Sequence, residues 1–290
     1  VAIGAAAIFA RFALDGAGPL AVAALRLGIA TIVVLGLGGI PARVARRREL
    51  VLATAGLALA IHFAAWIASL LYTSVAVSTL LVTTTPIWTE LYDTARKRRA
   101  PSRAYLVALG LAFGGIALIA FGRPAVPPPI AGHALYGDGL ALVGSIAIGA
   151  YLILVRSAGA NTDGTRMPTR AIVTRTYAAA AFVLVVLSSM AHQSAPSASN
   201  VSAWGGILAM ALVSQLLGHT ALNAALRDYT PSIIAMTTLL EPVVAAILAA
   251  WIFHETVSWR AATGGVLVLA AIALTLRGDR LARPGVIPNA

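Results

Sequence analysis

HFAAWIASLLYTSVAVSTLLVTTTPIW (62–88) and HTALNAALRDYTPSIIAMTTLLEPVVA (219–245) are two versions of one stretch. His62 falls on His219, Tyr72 on Tyr229 and Thr73 on Thr230; with a one-residue slip, Pro86 falls on Pro242. The order is kept on both sides. GIALIAFG (115–122) resembles AIALTLRG (271–278), and AVAALRLGIATIVVL (21–35) resembles RAIVTRTYAAAAFVL (170–184), which pairs Arg26 with Arg175. The chain therefore reads as two copies of one unit, each made of long apolar runs.

Composition says what solvent those runs meet. Of 290 residues, 59% are hydrophobic and only 11% charged, with a mean hydropathy of +0.88. A soluble domain carries about 25% charged residues, so this chain lacks the polar skin that water demands. It reads as an integral membrane protein whose main partner is the lipid bilayer. The net charge of +11 belongs to loops beside anionic lipid rather than to a nucleic-acid surface, and no nucleic-acid partner is expected. Cysteine is absent, which excludes disulfides and thiolate metal sites. The first residue is Val, which fits a trimmed or mis-assigned start.

A bilayer core of about 30 Å needs about 20 apolar residues per helix. Ten candidates follow: 1–14, 18–40, 50–71, 74–94, 104–122, 136–156, 170–190, 203–226, 231–252 and 260–276. The fold class expected is an all-α integral membrane protein of ten transmembrane helices in two inverted five-helix repeats. Repeat one is 1–122, a Pro-rich outer loop 123–135, repeat two 136–278 and a cytoplasmic tail 279–290. With the N-terminus inside, the inward segments hold 17 of the 21 Lys and Arg residues. That bias places both termini in the cytoplasm. An odd number of helices per copy inverts the second copy, which is a transporter signature with the substrate site between the halves.

YGDGLALVGSIAIGAYLILVRSA (136–158) resembles the opening of the second EamA repeat of the drug/metabolite transporter superfamily. The stretch 218–274 resembles that family's most recognisable segment, with Glu241-Pro242 in helix 9 and His254 where Gly is usual before Glu255. The first copy is more degenerate, with Thr85-Pro86 at the Glu-Pro place and Arg99 at the end-of-helix Glu place. The resemblance implies a ten-helix carrier of the cytoplasmic membrane, and high Ala and Arg with almost no Lys fit the inner membrane of a bacterium. The carrier would export a small metabolite, amino acid or drug, often driven by a proton gradient, with no cofactor and no enzymatic step. Its substrate class does not carry over.

Polar residues inside apolar helices are the candidate site. Pro86 and Pro242 are the candidate hinges, because proline removes a backbone donor and lets a helix bend. Glu241 and Glu90 are the candidate proton-coupling carboxylates. For Glu241 the competing reading is a structural carboxylate at the bend, which a motif shared across diverse substrates favours. Gln215, His219 and Asn223, spaced i, i+4, i+8, form a stripe on one helix face; it lines the substrate pathway or makes interhelical hydrogen bonds. His62, Trp66 and Thr237 complete the expected pathway. Two histidines without a third ligand exclude a metal site.

Asp93 and Lys97 fit a helix-surface pair. Arg26 and Arg175 read as anchors near opposite membrane faces, Glu255 as a cap or a partner of Arg260, and Trp88, Trp251 and Trp259 as interfacial aromatics. Glycines 110, 114, 115, 264 and 265 permit close helix packing; they also fit contact between two copies, so a homodimer is a candidate assembly. Two other classes compete with a carrier. An integral-membrane lipid-modifying enzyme would need a cluster of catalytic groups, which the sequence does not offer. A passive small-solute channel would need a charged ring or filter loop, also missing.

Overall fold

The computed structural model describes residues 2–121, 129–159, 166–253 and 258–282. Every regular element among them is helical. The first repeat holds α1 (Ala6–Leu14), α2 (Pro19–Gly38), α3 (Arg46–Tyr72), α4 (Val75–Val82), α5 (Thr85–Lys97) and α6 (Arg103–Phe121). The second holds α7 (Ala134–Gly159), α8 (Thr169–Met190) and α9 (Val201–Ala209). It continues through a π-helical stretch (Met210–His219) into α10 (Thr220–Ala225), α11 (Pro231–Thr238), α12 (Glu241–Phe253) and α13 (Trp259–Ala282).

Five helices among the described residues are long and apolar enough to cross a membrane: Pro19–Gly38, Arg46–Tyr72, Ala134–Gly159, Thr169–Met190 and Val201–Ala225. Arg103–Ile119, Pro231–Ala245 and Ala262–Gly278 are shorter apolar helices. Large apolar side chains such as Leu37, Phe182, Leu217 and Ile247 stand on the outside. The interior is packed with alanine, including Ala10, Ala13, Ala55, Ala60 and Ala180 at 0% exposure. Small residues let helices approach where lipid removes the hydrophobic drive between them.

The helices pair as a two-fold exchange of the repeats requires. α2 packs along α8 and α6 along α13, each helix against its own counterpart. α3 packs on α7 while α9 packs on α1, the same contact with the repeats exchanged. The α6–α13 contact is backbone to backbone: a Cβ on Gly115 would lie 2.5 Å from the carbonyl oxygen of Gly264, and one on Gly264 would collide with that of Gly115. Two of the glycines expected to serve packing between copies are thus used inside one chain. Among the described residues beyond its own helix, a Cβ on Gly110 or Gly114 would meet nothing within 4 Å.

Two expected spans are broken, at matching places. Span 74–94 is α4 and α5, parted at Thr83–Thr84; span 231–252 is α11 and α12, parted at Leu239–Leu240. The entering caps match, since Ser74 Oγ accepts from Val77 N and Thr230 Oγ1 accepts from Ile233 N. Pro86 and Pro242 each take the second position of the departing helix, where the missing N–H costs least. Ser74 aligns with Thr230 and Pro86 with Pro242 at one offset, so the one-residue slip falls in the turn before the caps.

The first break is tied to α7. Buried Ser145 Oγ lies 2.9 Å from Thr84 Oγ1 and 3.3 Å from Thr85 Oγ1, and accepts from Trp88 Nε1 at 3.1 Å. Trp88 therefore points into the bundle, not to the membrane interface, while Trp251 and Trp259 are exposed. Ser145→Ala strips this cluster of its shared partner and should cost about 1–2 kcal/mol. Thermal unfolding in detergent reads it, and an unchanged melting temperature would show that the indole has another acceptor.

Candidate functional site

The two breaks, α1 to α3, α7, the last residue of the π stretch and α10 line a small cavity of about 40 Å³. Val82, Thr83 and Thr85 reach it from the first break, Thr238 and Glu241 from the second. Each wall is polar because the helix is interrupted there. Thr85 Oγ1 donates to Val82 O at 3.0 Å, the carbonyl whose i+4 donor Pro86 lacks. Thr83 Oγ1 and Thr238 Oγ1 donate to carbonyls of their own helices, a bonding that favours bends.

The repeat-related histidines meet here. His62 and His219 both line the cavity, their ring centroids 6.5 Å apart. His62 stacks on Trp66 at 6.3 Å and 5° between planes, and Phe63 meets His219 edge-on at 5.3 Å. His62 Nδ1 is 2.8 Å from Gly144 O. A carbonyl only accepts, so Nδ1 carries the proton; in a neutral ring this leaves Nε2 as an acceptor.

The stripe on the eighth span divides. His219 lines the cavity. Gln215 Oε1 accepts from Arg26 Nε at 3.0 Å and stands behind it. Asn223 accepts from Tyr151 Oη at 2.9 Å and opens on a second cavity of about 200 Å³. Thr237 donates to Ile234 O and is not a lining residue; its neighbour Thr238 is. Glu90 is half-buried on α5 and also lies outside the lining. Asp93 and Lys97 pair at 2.6 Å. His254 and Glu255 lie outside the described residues.

Arg26 is the residue that corrects the sequence reading most. It is no anchor at a membrane face. It is 0% exposed, lines the central cavity, and lays its guanidinium 3.9 Å from the centroid of the Phe63 ring. Among the described residues its two terminal nitrogens find no hydrogen-bond partner, nor does Gln215 Nε2. Its repeat counterpart Arg175 does behave as an anchor, paired with Glu49 at 2.9 Å. The signal in the sequence is a lone cation eight residues into an apolar 20-residue helix, which by default marks a functional site.

A solved crystal structure superimposes on this chain with a TM-score of 0.71, covering 96% of this chain and 97% of its own, at 17% identity. At that identity the likeness speaks for the fold. No curated protein matches the sequence significantly. The profile of the EamA-like transporter family matches twice, over residues 1–121 and 135–277. Those matches follow the two copies and stop at the loop between them. This multi-pass membrane protein, whose two repeats both line a central cavity, belongs to the EamA-like transporter family.

Proposed function

We propose that the protein is a secondary active carrier that exports a small solute by alternating access. The observation that carries this is a cavity walled by both repeats and by both helix breaks. A site between two inverted halves is reached from one side or the other as the halves rock. The breaks at Thr83–Thr84 and Leu239–Leu240 are where the crossing helices would bend. Both termini face the cytoplasm in this reading, supported by the arginine-rich segments that alternate along the chain. The membrane is the inner membrane of a bacterium, and Glu241 carries the coupling proton.

The cavity is far below the roughly 300–1,000 Å³ typical of ligand sites. Loading it therefore requires the walls to part, which the breaks allow. The test is counterflow in proteoliposomes across a panel of radiolabelled metabolites, amino acids and drugs. At least one solute should exchange with saturation, and its accumulation should collapse with a protonophore. A flux that never saturates and shows no counterflow would favour a channel. Accumulation that ignores the protonophore removes the proton and leaves the carrier.

A further inference from the structure

A buried cation with unused donors is costly unless something completes it. Arg26 has its Nε occupied by Gln215 and its face covered by Phe63, and both terminal nitrogens are unpartnered among the described residues. Those two nitrogens form the edge of the guanidinium fork that matches a carboxylate in two-pronged fashion. Glu241 lines the same cavity but makes no hydrogen bond to that edge. The protein thus fixes the guanidinium on one edge and one face and leaves the other edge open.

We infer that the central cavity binds its solute by a carboxylate group seated on the two terminal nitrogens of Arg26. The inference rests on the carrier reading for what happens next, but the binding itself does not. A single carboxylate fits better than a multiply charged oxyanion. Among the lining residues, Arg26 is the one permanent cation, Glu241 supplies a carboxyl group, and Phe63, Trp66 and Leu222 supply walls. An ionised Glu241 would repel a dianion about twice as strongly as a single carboxylate. The neighbouring apolar and aromatic walls suit a carbon skeleton attached to that carboxylate.

A second cavity points the same way. Arg156, Arg166 and Arg227 line it together with Asn223, one turn from His219. Arg156 donates to the carbonyls of Leu226 and Arg227, and Arg166 pairs with Asp228 at 3.1 Å. Three guanidinium groups against the carboxylate of Asp228 leave this cavity, beside the last residue of the stripe, electropositive. Such a field raises the local concentration of anions.

The test uses the full chain purified in detergent, titrated with benzoate against benzamide and with acetate against acetamide at constant ionic strength. Tryptophan fluorescence, with Trp66 in the cavity wall, and thermal stabilisation report binding. Each acid should bind about tenfold or more tighter than its amide, the value of a hydrogen bond to charge. In Arg26→Gln that ratio should fall to near unity, and Arg26→Lys should keep a reduced preference because it retains charge without the fork. Equal binding of acid and amide by the wild type overturns the inference without needing any variant. So does an acid preference that survives Arg26→Gln. Counterflow confined to uncharged or cationic solutes also overturns it while leaving the carrier standing. Acid-selective binding without counterflow of any solute would instead sink the carrier and keep the Arg26 site.

Discussion

Gly115→Val is expected to part α6 from α13 and to lower the yield of folded protein sharply. The reason is geometric. The ideal Cβ position on Gly115 is 2.5 Å from Gly264 O and 3.0 Å from Leu267 Cβ and Val268 Cγ2. The first of these obstacles is backbone, which cannot rotate away. Gly264→Val meets the carbonyl of Gly115 and the Cγ1 of Ile119 at 2.9 Å. Overpacking of a close core costs about 1–3 kcal/mol per site, and here no flexible side chain absorbs it. The pair joins the last helices of the two repeats, so the loss should spread to the cavity between them. Gly110→Ala and Gly114→Ala on the same helix are the controls. A Cβ on either would meet nothing within 4 Å among the described residues beyond its own helix, and alanine is the better helix former by about 1 kcal/mol. Detergent-solubilised yield and melting temperature should separate the two sets clearly. Equal tolerance at 115 and 114 would mean that α6 and α13 slide apart at little cost.

That contrast shows how far the amino-acid pattern reaches. The glycines of α6 and α13 look alike in an apolar run, because packing depends on which face meets a helix far along the chain. Repeats are legible because they are copied in the chain itself, so His62 and His219 align on residue identity and order alone. The broken helices are legible in part. Pro86 and Pro242 announce a bend, but the roles of Thr85 and Ser145 depend on α7, whose place in space the local sequence does not state. The π stretch leaves no mark in a run dominated by apolar residues. Arg26 and Arg175 align in the repeat, and alignment alone suggests one role for both. Their partners, Gln215 and Glu49, are 189 and 126 residues distant, and it is those partners that make one a cavity group and the other an anchor.

Glu241→Gln is expected to abolish proton-driven accumulation while leaving counterflow close to wild type. Glu241 opens α12 at the position that Thr85 takes in α5. In the first repeat, Thr85 donates to the carbonyl that Pro86 leaves open. Pro242 likewise leaves the carbonyl of Thr238 without its i+4 donor. A carboxylate cannot donate there, whereas the protonated acid can. As an anion Glu241 is instead favoured by the free N–H groups at the start of α12 and by a cation on the same cavity. Taking up a proton therefore changes which groups Glu241 satisfies at the break, and this is how a proton would bias the bend. Glutamine keeps the size, can donate, and cannot titrate. It should hold the break in the form that the protonated acid favours and let solute exchange down its own gradient. Glu241→Asp keeps the proton but shortens the reach, and should retain part of the accumulation. Loss of both counterflow and accumulation in a folded Glu241→Gln protein would assign Glu241 to solute binding or to the hinge itself. If neither changes, the carboxylate is structural, and coupling passes to His62 and His219, the lining residues whose ordinary titration falls near neutral pH.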